Sequence, residues 1–97
     1  MKKLNELSNL FKLLSDPNRL KMVAELCKST ECNVGALSKC CAIDLSVVSR
    51  HLSKLTDAGV IEASKQGKEV IYSLKAKNLA RILRKFADDI EKSNCCN

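Results

Sequence analysis

Apolar positions fall into helical stripes separated by short polar breaks. Leu4, Leu7, Leu10, Phe11 and Leu14 recur at helical spacing and predict a first amphipathic helix. Ser15-Asp16-Pro17 ends it and opens a second, since proline is tolerated in a first turn whose amides have no partner within the helix. Leu20, Val23, Ala24 and Cys27 mark the expected inward stripe of that second helix. Ser29-Thr30-Glu31 reads as a loop, and Asn33 as the N-cap of a short third helix with Val34, Leu37 and Cys41 facing in. Ala42-Ile43 would turn the chain into a fourth helix. Near the other end, Leu79, Ile82, Leu83, Phe86, Ala87 and Ile90 trace a long final helix with a wide apolar stripe. No repeat, low-complexity stretch or linker interrupts the pattern, so a single domain over residues 1–97 is expected.

The stretch from Asp44 to Leu74 is the most specific. Asp44 is placed to accept hydrogen bonds from the orphan amides of the helix that follows. Val48, Leu52 and Leu55 give that helix one apolar face. Ser46, Val47, Ser49, Arg50, His51 and Lys54 are left for a partner, and most are donors suited to phosphates and base edges. Gly59 ends the helix, as glycine does where the chain turns left-handed. Two β-branched runs then flank Gln66-Gly67, read as a tight turn with Lys65 and Lys68 on either side. A donor-rich helix followed by a basic hairpin predicts a mainly α fold with a small β-hairpin, a winged helix-turn-helix that reads double-stranded DNA. Arg50 and Lys54 alone would fit a solvated face; beside two serines and a basic wing, contact with DNA is the better reading. His51 reads as a DNA-contacting or structural hydrogen-bonding residue, because the chain has no second histidine to share a metal.

Charge and cysteine content narrow the picture. The 97 residues carry a formal net charge of +6, which suits a nucleic-acid partner. No apolar run approaches the roughly 20 residues that span a bilayer, so no membrane partner is expected. Met1-Lys2-Lys3 runs directly into amphipathic Leu4-Asn5-Glu6, unlike a signal-peptide core, and a cytoplasmic location is expected. The six cysteines are then best read as reduced thiols: Cys27, Cys32 and the adjacent pairs Cys40-Cys41 and Cys95-Cys96. The absence of C-x-x-C argues against a zinc ribbon, a thioredoxin-like redox site, a thiol oxidoreductase or a metallochaperone, and no enzymatic activity is expected. Asp88 and Asp89 stand four residues after Arg84 and Lys85, the spacing of ordinary surface ion pairs. The first and last helices lie outside the minimal DNA-reading unit, yet each has a continuous apolar face. They pack either on their own domain alone or also on a second subunit. Two-fold DNA readers need a dimer, so a homodimer is the working state.

In these residues the chain resembles the ArsR/SmtB family of bacterial metal- and metalloid-responsive repressors. The resemblance rests on Leu14-Ser15-Asp16-Pro17-Asn18-Arg19-Leu20, Asn33-Val34-Gly35-Ala36-Leu37, Ser46-Val47-Val48-Ser49-Arg50-His51-Leu52, Leu55 through Ile61, and the wing Lys65-Gln66-Gly67-Lys68, in that order. It implies a five-helix winged-helix dimer, joined through its first and last helices, that represses promoters and lets go when an inducer binds. One arsenite-sensing subgroup places cysteines where this chain has Asn33 and Gly35, so that site does not carry over. The zinc-sensing subgroup uses histidines on the last helix, which has none here. A third subgroup carries an adjacent cysteine pair at the end of the last helix, as Cys95-Cys96 does, with a third cysteine a few residues further on. The resemblance therefore implies As(III) or Sb(III) as inducer on Cys95 and Cys96. This sequence stops at Asn97 before that third cysteine, and Cys32 or Cys40, less clearly inward by the apolar pattern, is the candidate for a third thiolate. Such soft centres prefer sulfur over oxygen and imidazole donors. Adjacent helical cysteines point about 100° apart, so both reach one ion only where the terminus unwinds. The bland alternative is a pair that is merely exposed. Cys41 takes the place of a family leucine and reads as core, as does Cys27. A thiol redox or persulfide switch using one cysteine on the second helix and one on the last, or a zinc- or cadmium-responsive repressor, are the alternatives within the same fold.

Overall fold

Local chemistry sets most element boundaries. The structure, a computed structural model, describes residues 2–29 and 31–93, with side chains from residue 5 onward. Along the chain it forms α1 (Lys2–Leu14), α2 (Pro17–Ser29), α3 (Val34–Cys41), α4 (Leu45–Asp57), β1 (Ile61–Gln66), β2 (Glu69–Leu74) and α5 (Ala76–Ser93). Asp16 Oδ1 accepts from the amides of Asn18 at 2.8 Å and Arg19 at 3.2 Å, which caps α2 ahead of Pro17. Those amides, Arg19's most of all, hold the Asp16 carboxyl below its ordinary range. Asn33 caps α3 as expected, its Oδ1 accepting from the Ala36 amide at 2.8 Å. The same side chain donates through Nδ2 to Glu69 Oε1 at 2.9 Å, tying the start of α3 to the start of β2.

Two local expectations are corrected. Asp44 stands at the N-cap of α4 with extended backbone, but its carboxylate makes no capping hydrogen bond. Its carbonyl instead accepts from the Val47 and Val48 amides at 3.1 and 3.0 Å, and the exposed carboxylate is left to water. The wing turn is one residue later than read, because Gln66 still pairs with Glu69 and the loop is Gly67-Lys68. Gly67 supplies the left-handed φ of +66° that the first loop position of a two-residue hairpin favours.

Gly59 behaves as expected. At φ +77° it follows the Ala58 cap of α4. Its amide donates to Thr56 and that of Val60 to Leu55, both at 3.0 Å, the double bond of a Schellman ending. Val60 and Leu55, the apolar pair of that motif, are both buried. The turn between α3 and α4 is made at Ala42, in the left-handed region at φ 55°, with Ser38 Oγ donating to the Ile43 carbonyl at 2.6 Å.

The core forms where α2, α3 and α4 meet the base of the hairpin. Met22, Leu37, Val48, Leu52, Leu55 and Ile61 are completely buried, each aliphatic side chain contributing about 1.5–3 kcal/mol. The expected stripe of α2 is corrected: Met22, Val23 and Leu26 face in, whereas Leu20, Ala24 and Cys27 are exposed. Both sets have helical spacing; Met22 and Leu26, larger than Ala24 and Cys27, are the ones packed into the core with α3 and α4. Cys32, whose direction the pattern left open, is buried. Its amide donates to the Tyr72 carbonyl at 3.0 Å and its carbonyl accepts from the Tyr72 amide at 2.8 Å, adding one residue to the edge of the sheet.

Cys41 is buried in this core beside Leu37, as read, with Sγ 4.0 Å from the Asn18 carbonyl. A serine hydroxyl, on a shorter bond, would not reach that carbonyl. Cys41→Leu is expected to melt like wild type, whereas Cys41→Ser should lose about 1–3 kcal/mol by leaving a hydroxyl unpaired in an apolar site. Thermal melts of the two variants check the ranking; a leucine variant less stable than the serine one would remove Cys41 from the core.

α5 packs less completely. Leu79 is buried and Ile82 partly so, but Leu83, Phe86 and Ile90 are exposed. Phe86 meets exposed Phe11 of α1 edge-on, with centroids 5.8 Å apart, so the two helices share one apolar surface. Across the same pair Arg81 Nη2 lies 3.4 Å from Glu6 Oε1. The predicted ion pair of α5 is present between Lys85 and Asp89 at 2.6 Å. The Cα radius of gyration is 15.1 Å, against about 13 Å for a self-contained domain of this length. No helix among the described residues is long and apolar enough to cross a membrane.

Candidate nucleic-acid interface

The reading surface begins with α4, whose buried side is Val48, Leu52 and Leu55. That burial fixes which residues point away. Ser46, Ser49, Arg50 and Lys54 are all exposed and run down one face at helical spacing. Val47 and His51, one turn apart, flank the buried stripe and are half-buried. Ser53 completes the outward stripe and was missed in the sequence, although its place one turn after Ser49 would have found it. Leu45, more than half exposed in the first turn of α4, was also missed; nothing in the apolar pattern marks a leucine as outward.

The wing supplies a second cationic element. Lys65, Gln66 and Lys68 are exposed around the hairpin tip. The pairing of Lys65 with Val70 and Gln66 with Glu69 holds them in register with the sheet. Asn33 and the Cys32–Tyr72 bridge fix β2 against the segment leading into α3. The structure therefore carries the donors of α4 and the cations of the wing on one connected unit. His51 is turned towards α2, where Arg19 Nη1 lies 3.3 Å from its Nδ1.

The described thiols have distinct surroundings. Cys40 Sγ donates to Glu25 Oε1 at 3.2 Å. That carboxylate keeps the proton on sulfur and, with burial, pushes the Cys40 thiol up to about 11. The same bond, with one from Ser29 Oγ at 3.1 Å, holds the Glu25 carboxyl below its ordinary range. Burial pushes the Cys32 thiol up. Cys27, expected in the core, is exposed on the outer side of α2. Among the described residues no three histidine, cysteine or carboxylate side chains converge as a metal site. Cys95 and Cys96 lie outside the described residues.

Comparison with known proteins fits this geometry. Residues 14–63, from the end of α1 through the start of β1, match the family described as "Helix-turn-helix domain". The cadmium resistance transcriptional regulatory protein CadC of Listeria innocua is 34% identical over 86 residues, covering 86% of this chain and 72% of that one. The crystal structure of the transcriptional repressor BigR from Xylella fastidiosa is similar at 32% identity and TM-score 0.72, covering 89% of this chain and 88% of that one. An ArsR-like transcriptional regulator from Rhodococcus sp. RHA1 shares the fold at TM-score 0.84 and 22% identity, over 97% of this chain and 88% of that one. The five helices, the two-stranded wing and these relatives together place the chain in the ArsR/SmtB family of winged helix-turn-helix transcriptional repressors.

Proposed function

We propose that this chain is a single-domain, homodimeric operator-binding repressor that leaves DNA when a thiophilic metal or metalloid ion binds its cysteines. The observation that carries the DNA half is the outward face of α4, where Ser46, Ser49, Arg50 and Lys54 are exposed opposite a completely buried stripe. In this reading the first turns of α4 meet base edges in the major groove, Arg50 foremost, while Lys65, Gln66 and Lys68 of the wing meet the backbone. The dimer is supported by the shared apolar surface of α1 and α5, with Phe11, Leu83, Phe86 and Ile90 exposed. A solved relative from Mycobacterium bovis with the same fold is described as homodimeric.

The inducer is assigned to Cys95 and Cys96, with Cys32 or Cys40 as the third donor. Cys40 is the less buried of the two, and it must give up its proton and its bond to Glu25 to serve. The adjacent terminal pair supports arsenite or antimonite. A second reading, cadmium, is supported by the Listeria relative named for cadmium resistance; cadmium is likewise drawn to thiolates.

Gel-shift titrations test the DNA half. Arg50→Ala is expected to lower operator affinity by about 1–3 kcal/mol and to relax sequence preference. Lys68→Ala should weaken operator and unrelated DNA about equally. Wild-type operator affinity in both variants would remove α4 and the wing from the interface.

A further inference from the structure

Arg19 joins the first two helices to the reading helix. Its Nε donates to the Leu13 carbonyl in the last turn of α1 at 2.7 Å, and its amide caps onto Asp16. The far end of the same side chain reaches across to α4, where Nη1 lies 3.3 Å from Nδ1 of His51. A guanidinium has donors only and keeps its charge at any physiological pH. The Nδ1 that faces it must therefore act as acceptor, and in the neutral ring the proton then sits on Nε2. No buried side-chain nitrogen or oxygen among the described residues lacks a partner. Arg19 meets the imidazole through Nδ1, which leaves Nε2 facing solvent with its hydrogen to donate.

We infer that Arg19 is a positioning residue for DNA binding: it fixes His51 as the Nε2–H tautomer and aims that N–H at a phosphate oxygen of the duplex. The inference rests on α4 being the DNA-reading helix. A phosphate is the better match than a base because His51 is half-buried and follows Arg50, whose exposed side chain projects further into a groove; donors at the rim of the face meet the backbone that borders it. Holding the ring in one tautomer before DNA arrives removes part of the ordering that binding would otherwise require.

The chain has one histidine, so its imidazole nitrogens can be assigned without ambiguity. A long-range 1H–15N spectrum of the DNA-free protein in mildly alkaline buffer is expected to show Nε2 protonated and Nδ1 bare. Arg19→Met should give a mixture of tautomers. A merely structural arginine would leave the ring pattern unchanged. His51→Gln places an amide donor where Nε2–H stands and should retain operator affinity within about twofold, whereas His51→Leu should lose about tenfold on operator and unrelated duplex alike. These two variants leave Arg19's bond to Leu13 intact, so they decide the contact even if Arg19→Met unfolds. A wild-type ring protonated on Nδ1, a folded Arg19→Met with unchanged tautomer, or His51→Leu binding as wild type would each overturn the inference. Failure of the α4 reading is told apart by Arg50→Ala, and the tautomer is read without DNA.

Discussion

A Phe86→Glu variant is expected to sediment as a monomer and to bind a two-half-site operator about 10²–10⁴-fold more weakly, because each reading head then binds without the effective concentration supplied by its twin. Phe86 is partly exposed and meets Phe11 edge-on, at the centre of the apolar surface that α1 and α5 share. In the proposed dimer, each Phe86 is covered by the partner copy. A carboxylate there would lose its water on association while the nearby Arg81 and Lys85 already pair with Glu6 and Asp89, which opposes association strongly. The protomer itself should still fold, since α5 is anchored through buried Leu79 and partly buried Ile82 and not through Phe86. Circular dichroism and sedimentation separate the two outcomes. A variant that remains dimeric with wild-type operator affinity would move the interface away from this face.

Replacing Cys95 and Cys96 together by serine is expected to leave operator affinity unchanged and to abolish release by arsenite or antimonite. A serine oxygen is a hard donor that offers these soft centres little. The substitution lies beyond Ser93, the last described residue, and changes none of the core or reading-face residues described above. Fluorescence anisotropy of the operator complex, titrated with arsenite and in parallel with cadmium, reads the result. Loss of both responses assigns one thiol site to both ions. Loss of the arsenite response alone leaves cadmium to other donors. Normal release by arsenite would shift the site to Cys32 or Cys40 and require Cys40 to part from Glu25.

Much of the fold was legible because its signals are local. Pro17, Asn33 and Gly59 act within a turn or two of themselves, and each ends or starts a helix where the sequence predicts. The stripe of Val48, Leu52 and Leu55 was legible for the same reason, and it fixes the opposite face of α4. What escaped depended on distance or on choice between equals. α2 carries two apolar sets at helical spacing, and only packing against α3 and α4 selects Met22 and Leu26 over Leu20 and Cys27. The burial of Cys32 follows from pairing with Tyr72, and the orientation of His51 from Arg19, both distant along the chain. The turn of the wing slipped by one residue because glycine satisfies either loop position, and strand pairing decides which.

Asn33 caps α3 with its oxygen and holds Glu69 of the wing with its nitrogen. Next to it, the Cys32–Tyr72 bridge joins the same two parts through the backbone. The wing is thus tied at two points to the start of α3, which shares its core with the reading helix. In the proposed dimer, an ion captured beyond α5 would act on the angle between two such units. Repression and release would then differ in how two solid pieces are mounted on each other, while each piece keeps its own shape.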